Sequence, residues 1–295
     1  MKTPNSLQKL ITESLAIEAE EAKKAGTIGY MARALVQATM PYKNPGNISA
    51  WGRRNGDFSM MMQPGYALDK LNTPHSIGLP YGTKPRLIMN YICSEAVKKR
   101  SQEIVLGKSL SEFMRQLGLE PTGGRWGTIP MVREQSKRLF SATISFQYEG
   151  KDAEISGGFR IASHTVLFWD TKSPNQTGLW ESVVTLTDEF YREIIDRPVP
   201  IDMRALSALK GSSMALDIYA WLTYRMSYLK QPTEIQWELL AAQFGADYAE
   251  IRDFKKNFLK QLKKVLVVYQ PNINETNTGF LLKPSKPHIS NSKTL

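Results

Sequence analysis

The stretch IRDFKKNFLKQLKKVL, Ile251–Leu266, decides how this chain is read. On an α-helix each residue advances about 100°, so Ile251, Phe254, Phe258, Leu262 and Val265 fall within an arc of roughly 80°. Arg252, Lys256, Lys260 and Lys263 fall within an arc of similar width on the opposite side. One side is suited to a core, and the other presents a row of cations at i, i+4 and i+3 spacing. Such a row suits the phosphates of a duplex groove, where each neutralised phosphate also releases counterions. A solvated lysine face on an ordinary surface helix satisfies the same pattern, so the flanking sequence has to decide between the two. Lys255 and Lys264 flank the row. Asp253 stands three residues before Lys256, a spacing that supports a purely structural ion pair.

At 295 residues the chain is long enough for two domains, each with its own core. Its 38 basic against 28 acidic residues give a net charge of +10. That excess favours polyanions, either nucleic acid or an anionic membrane face, and carries no information about fold. No apolar run approaches the ~20 residues needed to span a bilayer. The richest, Met214–Met226, is interrupted by Asp217 and Arg225. The N-terminal segment mixes acids and bases and lacks the apolar block of a secretory signal. Cys93 is the single cysteine, which excludes an intramolecular disulfide and a multi-thiolate zinc site. The expected compartment is the reducing cytoplasm. Membrane binding is disfavoured because the aromatics of the basic helix lie on the side its core requires.

The order of elements repeats along the chain. In the first half a helix over Arg86–Lys99 precedes a β-like run at Ile104–Leu106 and a short helix over Ser109–Leu117. A basic helix, Met131–Phe140, and the strands after Ser141 follow. The second half gives Met214–Leu229, Thr233–Ile235, Trp237–Phe244, Tyr248–Leu266 and strands flanking residues 270–279. A helix, a helix-turn-helix and a terminal hairpin describe a winged helix. The second helix of each pair is expected in the major groove, with the hairpin on the neighbouring backbone.

The expected class is therefore α+β, with two tandem winged-helix domains at 41–186 and 187–282. An N-terminal helical extension, 1–40, precedes them, and an acid-free tail, 283–295, reads as disordered. The extension reads as a helix over 5–24 and another from Tyr30 to Met40. A hairpin is expected around Asn55-Gly56, and a Gly/Pro-rich connection runs from there to Pro85. Candidate DNA contacts in the first copy are Arg125, in the loop before the basic helix, and Arg133, Lys137 and Arg138 on it. Glu134 lies among them. In the second copy the candidates are Arg252, Lys255, Lys256, Lys260, Lys263 and Lys264. Trp126 suits either contact with phosphate and sugar or a loop anchor packed on the core.

Other chemistries find little support. Gly107-Lys108-Ser109 resembles the end of a phosphate-binding loop, but that motif needs a glycine where Gln102 stands. No GxGxxG is present. His75, His164 and His288 share no metal-ligand spacing, and no acidic cluster is arranged to hold Mg²⁺. No catalytic residue, metal or cofactor is expected.

Several longer segments go further. They are ARALVQATMP (Ala32–Pro41), RNGDFSM (Arg54–Met60), GLPYGTKPRLIMNYICSEAVKKRS (Gly78–Ser101), LGKSLSEFMRQLGL (Leu106–Leu119) and TGGRWGTIPMVREQSKRLF (Thr122–Phe140). With the second helix-turn-helix region they resemble the replication initiator (RepA-type) proteins of bacterial plasmids, from about Thr27 to Leu282. The resemblance implies a non-enzymatic protein that binds repeated sites in double-stranded plasmid origin DNA and distorts an adjacent A·T-rich region. It also implies recruitment of the host replication initiator and replicative helicase, and a homodimer in one state. A winged-helix transcriptional repressor without a replication role is the alternative. A nicking enzyme, and a protein whose basic faces are merely solvated, stand further off.

Overall fold

The computed structural model describes residues 5–125, 127–170, 173–176, 181–245 and 248–290, with side chains from Leu10 onward. In chain order the elements begin with α1 (Asn5–Ala19), β1 (Ile28–Met31), α2 (Arg33–Gln37), β2 (Trp51–Asn55), β3 (Phe58–Gln63), β4 (Tyr66–Leu68) and β5 (Pro74–Ser76). Next come α3 (Thr83–Lys99), β6 (Glu103–Gly107), α4 (Leu110–Gln116), α5 (Thr128–Ser141), β7 (Thr143–Glu149), β8 (Glu154–Arg160), β9 (Ala162–Val166) and β10 (Ser182–Leu186). The chain continues through α6 (Asp188–Asp196), β11 (Val199–Asp202), α7 (Met203–Leu209), α8 (Ser213–Tyr228), β12 (Thr233–Gln236) and α9 (Trp237–Phe244). It ends with α10 (Ile251–Val268), β13 (Ile273–Glu275) and β14 (Gly279–Leu282). Among the described residues no helix is long and apolar enough to cross a membrane.

The chain divides into two compact units. One gathers Met1–Thr39, Arg53–Gly56 and Val199–Leu295; the other gathers Met40–Gly52 and Asp57–Pro198. This partition differs from the expected boundaries. The segment 1–40 is not a separate extension, because β1 pairs antiparallel with β11, Ile28 opposite Asp202 and Met31 opposite Val199. That pairing also replaces most of the helix expected over Tyr30–Met40, leaving only α2. The later boundary follows Pro198 rather than Leu186, since α6 stays with the second unit: the Phe190 and Phe159 rings lie 4.9 Å apart.

In the first unit, α8 is apolar on nearly every side and lies buried at the centre, with Ala215, Ile218, Tyr219 and Leu222 fully enclosed. Helix α1 is held to α10 by the Ser14 hydroxyl, which donates to the Val267 carbonyl at 2.7 Å. Its C-terminal carbonyls are capped by Arg204, donating to Ala16 at 2.7 Å and Glu20 at 2.9 Å. Arg204 is held in turn by Asp202, a nearly fully buried carboxylate 2.7 Å away.

The expected tail is also corrected over its described part. Tyr269 donates to the Lys286 carbonyl at 2.9 Å, the Tyr219 hydroxyl and His288 Nδ1 are 2.7 Å apart, and Ile289 is buried. Residues 291–295 lie outside the described residues.

In the second unit, α3 supplies the central helix, with Ile88, Met89, Ile92, Cys93 and Ala96 fully buried. Its N-terminal end explains the Tyr81–Arg86 motif. The Arg86 guanidinium, 3% exposed, donates to the carbonyls of Met40 at 2.7 Å, Gly82 at 2.7 Å and Pro41 at 3.2 Å, and lies over the Tyr42 ring. A buried cation thereby ties the incoming chain to the first turn of α3. Strand β7 pairs with both β3 and β8, while β6, β10 and β9 form a separate sheet in that order.

Each unit carries the same sequence of parts. In the first unit α8, β12, α9, α10, β13 and β14 follow one another, and the sheet order is β12-β14-β13. In the second, α3, β6, α4 and α5 lead to β9 and β10, and the sheet order is β6-β10-β9. In both, the strand after the first helix pairs with the last strand of the hairpin. The strands immediately after Ser141, β7 and β8, are an interposed hairpin belonging to the other sheet.

Candidate nucleic-acid interface

Helix α10 has two distinct sides. Phe254, Phe258, Leu262 and Val265 are 0–4% exposed. The Phe258 ring is the hub of an aromatic cluster, with centroids of Phe244, Phe254, Phe280 and Trp237 within 5.6–6.0 Å. Ile251 departs from the expected inner arc: at the first turn it is 42% exposed. The turn before α10 begins at Gly245, where an added Cβ would sit 2.2 Å from the Ala241 carbonyl oxygen, so only glycine fits.

On the opposite side Arg252, Lys256, Lys260 and Lys263 are all exposed. Among the described residues no hydrogen bond or ion pair engages Lys256, Lys260 or Lys263, and Arg252 has only a distant Asp253 oxygen at 3.9 Å. Asp253 thus turns to Arg252 rather than Lys256. The two flanking lysines are committed elsewhere. Lys255 pairs with Glu275 of β13 at 2.8 Å and lies over the Trp237 ring, and Lys264 donates to Gln261 at 2.9 Å.

The hairpin after α10 does not carry cations. Its tip joins Glu275 to Thr276 and Thr278, whose hydroxyls both donate to Glu234 on β12. Those two bonds hold the Glu234 carboxyl below its ordinary range. An acidic hairpin beside a basic helix leaves α10 itself as the surface for an anionic ligand.

Helix α5 is arranged differently. Ile129, Val132, Gln135, Ser136, Leu139 and Phe140 face inward, and Gln135 accepts a bond from the Tyr81 amide at 2.8 Å. Arg133 and Lys137 are exposed. Arg138 is half-buried and turned to structural work: it donates to Glu134 and to the Leu79 carbonyl, and lies over the Tyr81 ring. Arg125 is exposed in the loop before the helix. That loop is clasped by reciprocal bonds, the Thr122 amide to the Thr128 hydroxyl at 2.9 Å and the Thr128 amide to the Thr122 hydroxyl at 3.0 Å. Trp126 lies outside the described residues.

Charge is divided unequally. The first unit contains 20 basic and 12 acidic residues, the second 18 and 16, so +8 of the +10 belongs to the unit bearing α10. Among the described residues no group of three or more His, Cys, Asp or Glu side chains is placed to hold a metal ion. Within the stretch expected as connection the chain forms one exposed feature, the β4–β5 hairpin. Its signal was the run Asp69–Pro74, dense in turn formers around a lone Leu71.

No curated protein matches the sequence. Two solved structures overlap the fold at low identity. The crystal structure of selenomethionine derivatives of domain 2 and domain 3 of RctB aligns with a TM-score of 0.49 at 10% identity, covering 76% of this chain and 80% of that one. The crystal structure of RctB domains 2-3 gives 0.48 at 11%, covering 78% and 82%. The family profile of plasmid-encoded RepA proteins matches residues 79–238, more than half of the chain. The chain belongs to the family of plasmid-encoded RepA replication initiator proteins.

Proposed function

We propose that this initiator binds repeated duplex sites in its plasmid origin through two winged-helix units, with α10 and α5 as the groove-facing helices. The observation that carries the reading is the exposed row of Arg252, Lys256, Lys260 and Lys263 on a helix whose other side is locked into an aromatic core. Four cations along one helix face match phosphates flanking a groove. The common order of helix, strand, two helices and hairpin supports the winged-helix assignment of both units.

Because charge is concentrated in the α10 unit, that unit supplies most of the salt-dependent affinity. The second unit adds Arg125, Arg133 and Lys137 from a near-neutral surface. Linkage in one chain raises the effective concentration of the second unit once the first is bound. Paired contacts offset the cost of bending the duplex, which prepares an adjacent A·T-rich region for opening. Recruitment of the host initiator and replicative helicase, and a homodimer in one state, complete the proposal.

Footprinting on DNA flanking the protein's own coding region tests it. Protected tandem repeats are the expected result. A lone inverted repeat over a promoter would point instead to a repressor, and no protection in low salt would overturn DNA binding altogether.

A further inference from the structure

The β4–β5 hairpin forms a two-stranded sheet of its own, with Tyr66 opposite Ser76, Ala67 opposite His75 and Leu68 opposite Pro74. Residues 68–75 are all exposed, so this finger has little packed against it. Its tip is nevertheless ordered. Asp69 Oδ1 accepts from the amides of Leu71 at 2.8 Å and Thr73 at 2.9 Å, and the Asp69 amide donates to the Thr73 carbonyl at 3.1 Å. Asn72 takes a left-handed conformation, φ 60°, that closes the turn. Bonding to those amides also keeps the Asp69 carboxyl below its ordinary range. The effect of this lock is to hold Leu71 out in water at 84% exposure, above a face on which Tyr66 and Leu68 are each 63% exposed.

A pre-organised tip bearing one protruding apolar side chain is shaped for insertion rather than for covering a broad patch. The flanking groups are Lys70, Asn72, Thr73 and His75, and the only carboxylate at the tip has turned its oxygen to the backbone. Lys70 beside Asp69 leaves the tip with no net charge, and a near-neutral tip does not repel a polyanion. Apolar side chains are known to enter the minor groove, part stacked bases and kink the duplex, which is easiest at flexible steps in A·T-rich DNA. We propose that the β4–β5 finger is a duplex wedge: Leu71 enters between base pairs of A·T-rich DNA, with Tyr66 and Leu68 lying against the exposed sugars and bases.

This inference rests on the proposed opening of A·T-rich DNA, and its test separates the two. The full chain is added to a short A·T-rich duplex containing 2-aminopurine, whose fluorescence rises on unstacking, while anisotropy reports binding. Wild type is expected to bind and raise the fluorescence. Leu71→Ala is expected to lose most of that rise, with binding weakened by less than about threefold and its salt dependence unchanged, because insertion neutralises no phosphate. Asp69→Ala, which unlocks the tip without removing the leucine, should give an intermediate rise. Since Leu71 is exposed, thermal melting of the Leu71→Ala variant should match wild type. If wild type does not bind the duplex, the proposed function fails. If it binds without raising the fluorescence, or if Leu71→Ala raises it equally, the wedge is overturned and the finger is left to a protein partner.

Discussion

Replacing Lys256 and Lys260 together by alanine gives the sharpest test of α10. Both side chains are exposed with no partner among the described residues, so the change removes charge without removing packing. If Arg252, Lys256, Lys260 and Lys263 each neutralise one phosphate, at about −0.9 per contact the row contributes roughly −3.6 to the slope of log K against log salt. The double variant should make that slope shallower by about 1.8. Referred to ~1 M salt, where counterion release no longer favours binding, each contact is worth about fivefold at ~0.15 M, and the pair about 30-fold. The assay is anisotropy titration of a random-sequence duplex at several salt concentrations, since this effect needs no specific site. Lys255→Ala serves as an internal control. Its ammonium group is already paired with Glu275, so it should change the slope by less than about 0.5. A double variant whose slope stays within about 0.4 of wild type would refute α10 as a phosphate-contacting helix.

Three further outcomes concern the scaffold. Arg86→Met should destabilise the second unit by about 3–5 kcal/mol in urea unfolding, because three carbonyls lose a buried charged donor; a loss under ~1 kcal/mol would refute the tying role. Phe258→Ala removes the hub of the aromatic cluster and should cost the first unit about 3–5 kcal/mol by the same measurement. His288 is held down to about 4, chiefly by burial. The unfolded chain therefore takes up its proton near pH 6.5 while the folded chain does not, so stability is full above that point. It falls by about 3 kcal/mol as the pH drops towards 4. Protonation would also make Nδ1 a donor towards the Tyr219 hydroxyl, which already receives the Asp202 amide at 2.9 Å. His288→Phe should flatten the pH dependence of the melting temperature across that window, and an unchanged profile would refute the assignment.

Helix periodicity made much of this fold legible. The inner face of α10 could be listed from 3.6-residue spacing because a long amphipathic helix carries its burial in its own sequence. Ile251 escaped that logic because the first turn extends past the partners that cover Phe254, Phe258, Leu262 and Val265. Val267 and Val268 have β-branched side chains and read as strand, yet they finish α10, where Val268 is buried and the Val267 carbonyl receives Ser14. Pairing between distant segments was not legible. Nothing local in Ile28–Met31 announces Val199–Asp202 as its partner, and that ladder is one of the contacts that fasten the N-terminal segment to the C-terminal part of the chain. The side-chain fates of the basic residues were equally hidden. Lys255 looks like its neighbours in sequence but is drawn to Glu275 and the Trp237 ring by tertiary contacts, and Arg138, besides its i,i+4 pair with Glu134, is drawn over the distant Tyr81 ring.

The two supports for an origin-binding role are independent of each other. The family match ends at Glu238, in the first turn of α9, and so says nothing about α10. The cationic row on α10 follows from helical spacing and exposure, and owes nothing to the match. Most of the matched stretch lies in the unit of net charge +2, whereas the unit of net charge +8 extends well beyond it. Family membership thus rests largely on the weakly charged unit, and the electrostatic case rests on the other. A shared topology with different surface charge is what a division of labour requires: one unit holding the duplex by its phosphates, the other acting on it through shape. On that division, deleting charge from α5 by Arg133→Ala and Lys137→Ala should lower the salt slope less than the same operation on α10, since Glu134 already offsets part of that face. An equal or larger effect at α5 would mean that the formal charge of a unit does not set its grip on DNA.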